Sequence, residues 1–173
     1  MLARHQMIVF KIGAEEFAID ISVTKEIVPM RPITPIPETQ SYVTGVMNLR
    51  GNLVPILDLR SRLRAGSLAD GESAPPSADA RIMIVRLEGK QTGLIVDGAS
   101  EVIRVTDDMV EAPPDVITEI GADYIGGIIH LGDRFITVLN LDNAFKGNIT
   151  HELEEVQRLL AAGHLQTTTP ARA

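Results

Sequence analysis

The feature of this chain that most constrains its fold is an internal repeat. The segment YVTGVMNLRGNLVPILDLRSRL (residues 42–63) aligns without gaps with YIGGIIHLGDRFITVLNLDNAF (residues 124–145), sharing a tyrosine, a glycine and three leucines. The preceding segment MIVFKIGAEEFAID (7–20) aligns in the same way with MIVRLEGKQTGLIV (83–96). A chance likeness of strand–turn–strand segments is the alternative, which a match at two places disfavours. The repeat therefore predicts two tandem β modules of one architecture.

The repeat also sets the predicted domain boundaries. We expect a single domain over residues 7–146, with modules at about 7–64 and 81–145 between which strands can cross. Residues 65–80 (AGSLADGESAPPSADA) hold one large apolar residue and predict a flexible loop. An apolar face in residues 151–163 predicts a C-terminal helix, and residues 164–173 predict a disordered tail.

Composition narrows the function classes. The net charge of −7 and the aromatic content of 3% disfavour nucleic-acid binding, which needs basic surface and stacking rings. The chain has no cysteine, and its four histidines (His5, His130, His151 and His164) lack metal-ligand spacing. No nucleophile elbow, phosphate loop or dinucleotide fingerprint is present. We therefore expect no catalytic residue, no cofactor and no metal.

The chain shows no apolar run near the ~20 residues of a membrane span, and its first residues lack a cleavage site typical of a signal peptide. We therefore expect a cytoplasmic protein that does not insert into the membrane.

The turn of the first repeat holds the residue most suggestive of binding. The Gly-Asn pair of Arg50-Gly51-Asn52 suits a tight hairpin, so Gly51 and Asn52 are predicted as structural turn residues, as is Gly132 in the second copy. Arg50 at the tip is predicted to be exposed, and a guanidinium there offers a planar fork for a partner's carboxylates or carbonyls. A local ion pair with Asp58 or Glu38 is the alternative.

A further arginine cluster follows the turn. The arginines at positions 60, 62 and 64 are predicted to form a solvated face.

The run GVMNLRGNLVPILDLR (45–60) resembles the signature of the CheW family, the bacterial chemotaxis coupling proteins. The segments FKIGAEEFAIDI, TPIPET, LIVDGASEVIRV and YIGGIIHLGDRFITVLNLD agree with that family in order, so the resemblance covers about residues 7–145. The same domain occurs in the histidine kinase CheA and the adaptor CheV, which carry additional domains. A free-standing coupling protein is the best match.

The resemblance implies an all-β fold with short helices: two five-stranded SH3-like barrels side by side, with a C-terminal helix added here. It implies a non-enzymatic adaptor that joins the CheA regulatory domain to the cytoplasmic tips of methyl-accepting receptors in membrane-associated arrays.

The resemblance also places two binding surfaces. The receptor-binding residues would be Ile8, Ile21, Ile27, Arg50, Ala99 and Val102, and the kinase-binding residues Ile36 and Val43. For Ile8 and Ile21 a plain core role is the alternative, and whether Arg50 contacts receptor or kinase is open. Two other functions compete with the adaptor: an enzyme built on a double barrel, and a sensory module that binds a small ligand between the barrels. The missing catalytic constellation disfavours the first, and the scarcity of aromatic residues disfavours the second.

Overall fold

A computed structural model describes residues 4–36, 43–63, 78–114 and 124–145. The predicted loop up to residue 77, the 151–163 helix and the 164–173 tail lie outside the described residues. The described strands are β1 (Arg4–Ile12), β2 (Glu15–Asp20), β3 (Thr24–Pro29), β4 (Val43–Leu49), β5 (Asn52–Asp58), β6 (Arg81–Leu87), β7 (Lys90–Val96), β8 (Gly98–Thr106), β9 (Val110–Glu111), β10 (Ile125–Leu131) and β11 (Arg134–Leu139). The described helices are α1 (Leu59–Leu63) and α2 (Leu141–Ala144), with 3-10 turns η1 (Ile21–Val23) and η2 (Asp107–Met109).

The strands form two sheets. The first sheet has the order β8-β1-β2-β11-β10-β9 and the second the order β3-β6-β7-β5-β4. Each sheet combines strands from both predicted modules, so the sheets do not follow the 7–64 and 81–145 boundaries, and the strand crossing that the prediction allowed is extensive. The two-residue strand β9 gives the first sheet a sixth strand where five were predicted. The all-β fold with short helices is confirmed.

Three apolar clusters explain why the sheets curl and pack together. One cluster takes a side chain from all five strands of the second sheet, including Val28 and Met47 on its two edges. Another cluster is built in the same way from side chains of the first sheet, among them Met7 of β1 and Ile129 of β10. The opposite faces of both sheets meet in the largest cluster, which we call the shared core. Burial of aliphatic side chains in all three clusters holds each curled sheet closed and joins the two.

The glycine shared by the two copies of the repeat, Gly45 and Gly127, has the same role in each sheet. In the second sheet Thr34 exchanges two backbone hydrogen bonds with Val46, at 2.8 and 2.9 Å, and so closes the edge of β4. A Cβ on Gly45 would lie 2.0 Å from the carbonyl oxygen of Thr34. In the first sheet β9 closes the edge of β10, and a Cβ on Gly127 would lie 3.0 Å from the carbonyl oxygen of Glu111. The shared glycine therefore lets a closing segment approach each sheet edge.

The pairing registers correct the alignment of the other repeated segment. Ile12 pairs with Glu15 across the first hairpin, and Leu87 pairs with Lys90 across its counterpart, so equivalent residues lie 75 positions apart. The alignment of residues 7–20 with 83–96 implied 76. One residue of slip exchanges the two faces of a strand. At 75, Ile8 corresponds to Met83, and both do lie in the shared core.

Candidate protein interaction site

The β4–β5 turn differs from the predicted turn by one residue. Arg50 and Gly51 form it, with φ of 51° and 86°, the pair of positive values that two-residue hairpins favour. Asn52 is the first residue of β5 and pairs with Leu49, so it closes the four-residue turn and is not one of the two loop residues. Gly132, with φ of 61°, lies in the turn between β10 and β11 as predicted.

Arg50 lies at the surface, with 67% of its side chain exposed, and its partner is Glu26 of β3. Nη1 and Nη2 donate to the two carboxylate oxygens at 2.7 and 2.5 Å. These hydrogen bonds hold the pKa of the Glu26 carboxyl below its usual value and raise the pKa of Arg50. The local ion pair therefore exists, although with Glu26 rather than Asp58, and Glu38, the other predicted partner, lies outside the described residues. Since β3 and β4 are the two edges of the second sheet, the ion pair links both edges.

Two predicted receptor-binding residues lie exposed on equivalent edge strands. Ile27 of β3 pairs in register with Met83, and Val102 of β8 pairs with Ile8. Directly opposed residues of an antiparallel pair point to the same face of the sheet. Met83 and Ile8 belong to the shared core, so Ile27 and Val102 lie on the same sheet faces at its solvent-exposed margin. Their exposures are 38% and 53%, and they are 75 positions apart, the spacing of the structural repeat. The fold thus presents the same apolar position twice.

The other predicted apolar contacts are placed deeper. Ile8 is 6% exposed within the shared core, so the core alternative describes its position. Ile21 is half-buried and packs against that core. Ile36 and Val43, the predicted kinase-binding residues, are also buried, and the side chain of Val43 belongs to the shared core. These side chains support a surface from beneath and offer a partner little direct contact.

Ala99 lines a polar cleft of about 430 Å³ where β7 leads into β8. Lys11, Asp79 and Arg81 are among the other lining residues. The guanidinium of Arg81 donates to the main-chain carbonyl oxygens of Ala78 and Ala80, at 3.2 and 2.8 Å. Ala99 therefore borders charged groups, while its register partner Phe10 lies in the shared core.

Arg60 corrects the prediction of a solvated arginine face, because its side chain is only 6% exposed. Its Nε and Nη2 donate to Asp58 at 3.0 and 2.9 Å, and Nη1 donates to Asp97 at 3.3 Å. Asp97 accepts in turn from the backbone N–H of Gly13, at 2.6 Å. The hydrogen bonds to Asp58, ahead of those to Asp97, raise the pKa of Arg60. This network ties the second sheet to the first hairpin of the first sheet, a structural role.

Sequence reasoning missed one exposed aromatic position. Phe135 of β11 is 64% exposed, and its ring meets that of His130 edge-on with centroids 4.8 Å apart. The His130 Nε2 lies 2.6 Å from a carboxylate oxygen of Glu111. The signal available in the sequence was strand alternation from the buried Ile136, which places Phe135 on the opposite face.

Within the described ranges, no three histidine or carboxylate side chains lie close enough together to hold a metal ion. None of the helices in the same part of the chain combines the length and the hydropathy of a membrane span.

Comparisons with known proteins agree with this architecture. A family model described as "CheW-like domain" matches residues 6–147. A chemotaxis protein CheW from Treponema pallidum is 35% identical over 156 residues, covering 89% of this chain and 88% of its own. One from Helicobacter pylori is 35% identical over 141 residues, covering 82% and 81%. The crystal structure of the scaffolding protein TtCheW from Thermoanaerobacter tengcongensis superimposes with a TM-score of 0.74 at 34% identity, covering 84% of this chain and 95% of that one. The predicted fold class of two SH3-like barrels is confirmed.

Proposed function

The chain belongs to the CheW family, whose domain model spans residues 6–147, and we propose that it is a non-enzymatic adaptor. It couples the cytoplasmic tips of methyl-accepting chemoreceptors to the regulatory domain of the histidine kinase CheA. In this role it works in the cytoplasm and joins membrane-associated signalling arrays by binding its partners. The names of its relatives, chemotaxis proteins and a scaffolding protein, support the proposal.

The observation that supports receptor binding most is the pair of exposed apolar side chains on the edge strands. Ile27 and Val102 stand where the surface of the shared core reaches solvent. A receptor tip is a helical hairpin, and an amphipathic helix binds by placing apolar side chains against such a margin. Ile8 and Ile21 would pack beneath this margin, in or against the shared core, and Ala99 would lie at its border with the polar cleft. Each contact area is small, so we expect weak binary binding that many copies in an array strengthen.

Arg50 supports partner binding through its unusual backbone. A φ of 51° favours glycine, and the equivalent residue of the second repeat is Gly132. An arginine at such a position is explained by what its side chain does. Two of its five N–H groups bond Glu26, and the other three have no partner among the described residues. These N–H groups are available to a partner's carboxylates or carbonyls.

The kinase-facing surface is proposed on the second sheet, next to the β4–β5 hairpin. Ile36 and Val43 would act there by fixing the start of β4 from beneath, since both are buried. The exposed Arg50 directly follows the other end of the same strand, in the turn to β5. Its contact with receptor or kinase is decided by measuring the two affinities separately.

Isothermal titration calorimetry with the CheA regulatory domain and a receptor-tip fragment, both from the source organism, tests the proposal. We expect the chain to bind each one, Ile27→Ala and Val102→Ala to weaken receptor binding, and Phe135→Ala to leave it unchanged. Phe135→Ala is the matched control because Phe135 is also large, apolar and exposed but lies on β11. Failure to bind either partner would reject the adaptor role.

A further inference from the structure

Arg134 forms the most highly connected ion-pair cluster on the described surface of the first sheet. Nε and Nη2 donate to the carboxylate of Glu16 at 3.0 and 3.1 Å, and Nη2 also donates to Glu101 at 2.5 Å. The three residues belong to β11, β2 and β8. The hydrogen bonds that Arg134 donates to Glu16, and then the one to Glu101, raise the pKa of Arg134 well above its usual value. One guanidinium therefore connects two strands that do not neighbour each other.

The cluster repeats the arrangement seen in the second sheet. Glu101 and Glu26 are 75 positions apart, the spacing of the structural repeat. Each glutamate lies on an edge strand and accepts a hydrogen bond from an arginine of its own sheet. Arg50 lies in the β4–β5 turn, and Arg134 directly follows the β10–β11 turn. Each also directly precedes an exposed apolar residue, Val102 or Ile27. The two copies differ in one respect, since Arg134 lies two positions beyond the place that corresponds to Arg50.

We infer that Arg134 is a positioning residue for partner binding, holding β8 through Glu101 so that Val102 is presented at the margin of the shared core. It contacts the partner through no atom of its own in this role. The inference rests on the proposed function, because Val102 matters only where a receptor helix docks.

The two carboxylates bonded by Arg134 belong to different strands, so replacing them one at a time distinguishes positioning of β8 from general stabilisation of the sheet. Glu16 lies on β2, in the interior of the sheet order, and its bond to Arg134 braces strands that carry no predicted exposed contact. Glu101 lies on β8, the edge strand that presents Val102. Glu101 pairs in register with Val9 and so faces the core of the first sheet, while Val102 faces outward. Loss of the Glu101 bond therefore removes one side-chain tie of the edge strand, which stays paired with β1, and leaves the bond between Arg134 and Glu16 intact.

The test compares Arg134→Gln, Glu101→Gln and Glu16→Gln in the full chain. Arg104→Gln is the matched control, because Arg104 is an exposed arginine on the same strand β8. Calorimetry measures affinity for the receptor-tip fragment and for the CheA regulatory domain. Hydrogen exchange of the β8 amides measures how firmly the edge strand is held. A melting curve checks that each variant is folded.

We expect Arg134→Gln and Glu101→Gln to lower receptor affinity by at least about threefold, with faster exchange in β8 and kinase affinity changed less than about twofold. Glu16→Gln and Arg104→Gln should leave both affinities within about twofold. Unchanged receptor affinity in Glu101→Gln, with the wild type binding normally, would overturn the inference and leave the adaptor role standing. Equal losses of both affinities in Glu16→Gln and Glu101→Gln would show a purely structural cluster. Absence of receptor binding by the wild type would reject the adaptor role and the inference together.

Discussion

Arg50 donates two hydrogen bonds to the carboxylate of Glu26, at 2.7 and 2.5 Å, across the open side of the second sheet. The pairing is bidentate, with one Nη donating to each carboxylate oxygen, a geometry that lysine cannot reproduce. The bond joins the tip of one hairpin to the opposite edge strand, directly beside the exposed Ile27. The residue with the clearest binding chemistry is thus also connected to the apolar surface.

The first prediction separates these two roles of Arg50. Arg50→Ala should lower the melting temperature only slightly, because exposed ion pairs contribute little to stability. It should weaken partner binding roughly tenfold, since truncating a charged interface contact is costly. The exchanged double variant Glu26→Arg with Arg50→Glu restores an ion pair and serves as the control. We expect it to recover the melting temperature and not the affinity, and recovery of both would mean that Arg50 acts through Glu26 alone.

The second prediction concerns acid. Since Arg50 lowers the pKa of Glu26 in the folded protein, the ion pair stabilises the fold fully above the unfolded-state pKa of about 4.3. That contribution is lost as pH falls through the lower folded-state pKa. Denaturant titrations of the wild type and Glu26→Gln should therefore differ near neutral pH and converge as the pH falls through the folded-state pKa of Glu26. A difference that stays constant as the pH is lowered would mean that the carboxylate charge contributes nothing.

The third prediction concerns the buried Arg60. Arg60→Ala leaves Asp58, which is 5% exposed, without its guanidinium partner, and should lower the free energy of unfolding by about 3 kcal/mol. Arg104→Ala, at an exposed position, should change it by less than about 0.5 kcal/mol. Urea denaturation of both variants decides the point. Similar small losses would contradict the assigned role of the Asp58–Arg60–Asp97 network.

The fourth prediction compares two glycines of the signature hairpin. Gly45→Ala drives a methyl group against the Thr34 carbonyl oxygen and should cost about 3 kcal/mol or more, at the severe end for single substitutions. Gly51→Ala meets no atom within 4 Å and should cost about 1 kcal/mol, from its φ of 86° alone. Equal losses in urea denaturation would show that closure by Thr34 does not constrain Gly45.

Much of the fold follows from the repeat, because a β hairpin is a local structure with turn residues at fixed places. The register of the 7–20 segment did not follow, since its strands are apolar on both faces and a shift of one residue still matches apolar to apolar. The mixing of the modules between sheets also escaped the alignment. Strand partners are chosen by packing over long sequence separations, which a local pattern does not record.

Some site residues could be placed from the sequence and others could not, for a similar reason. The exposure of Arg50 follows from its position at a hairpin turn, whereas Arg60 is buried in a network with Asp58 that also includes Asp97, 37 residues later. Ile8 and Ile27 are both isoleucines on strands, and their different burial depends on whether a strand is interior or at an edge. The partner of Arg50 could not be read from neighbouring carboxylates because Glu26 is brought to it by closure of the sheet.

Co-sedimentation tests the central claim, that this chain bridges kinase and receptor, most directly. Vesicles carrying receptor cytoplasmic tips are mixed with CheA and then centrifuged, with and without the chain, and Arg50→Ala is run beside the wild type. The account predicts that CheA sediments with the vesicles when the wild-type chain is present, and much less with Arg50→Ala at equal folded concentration. Sedimentation of CheA that is the same with and without the wild-type chain would contradict it.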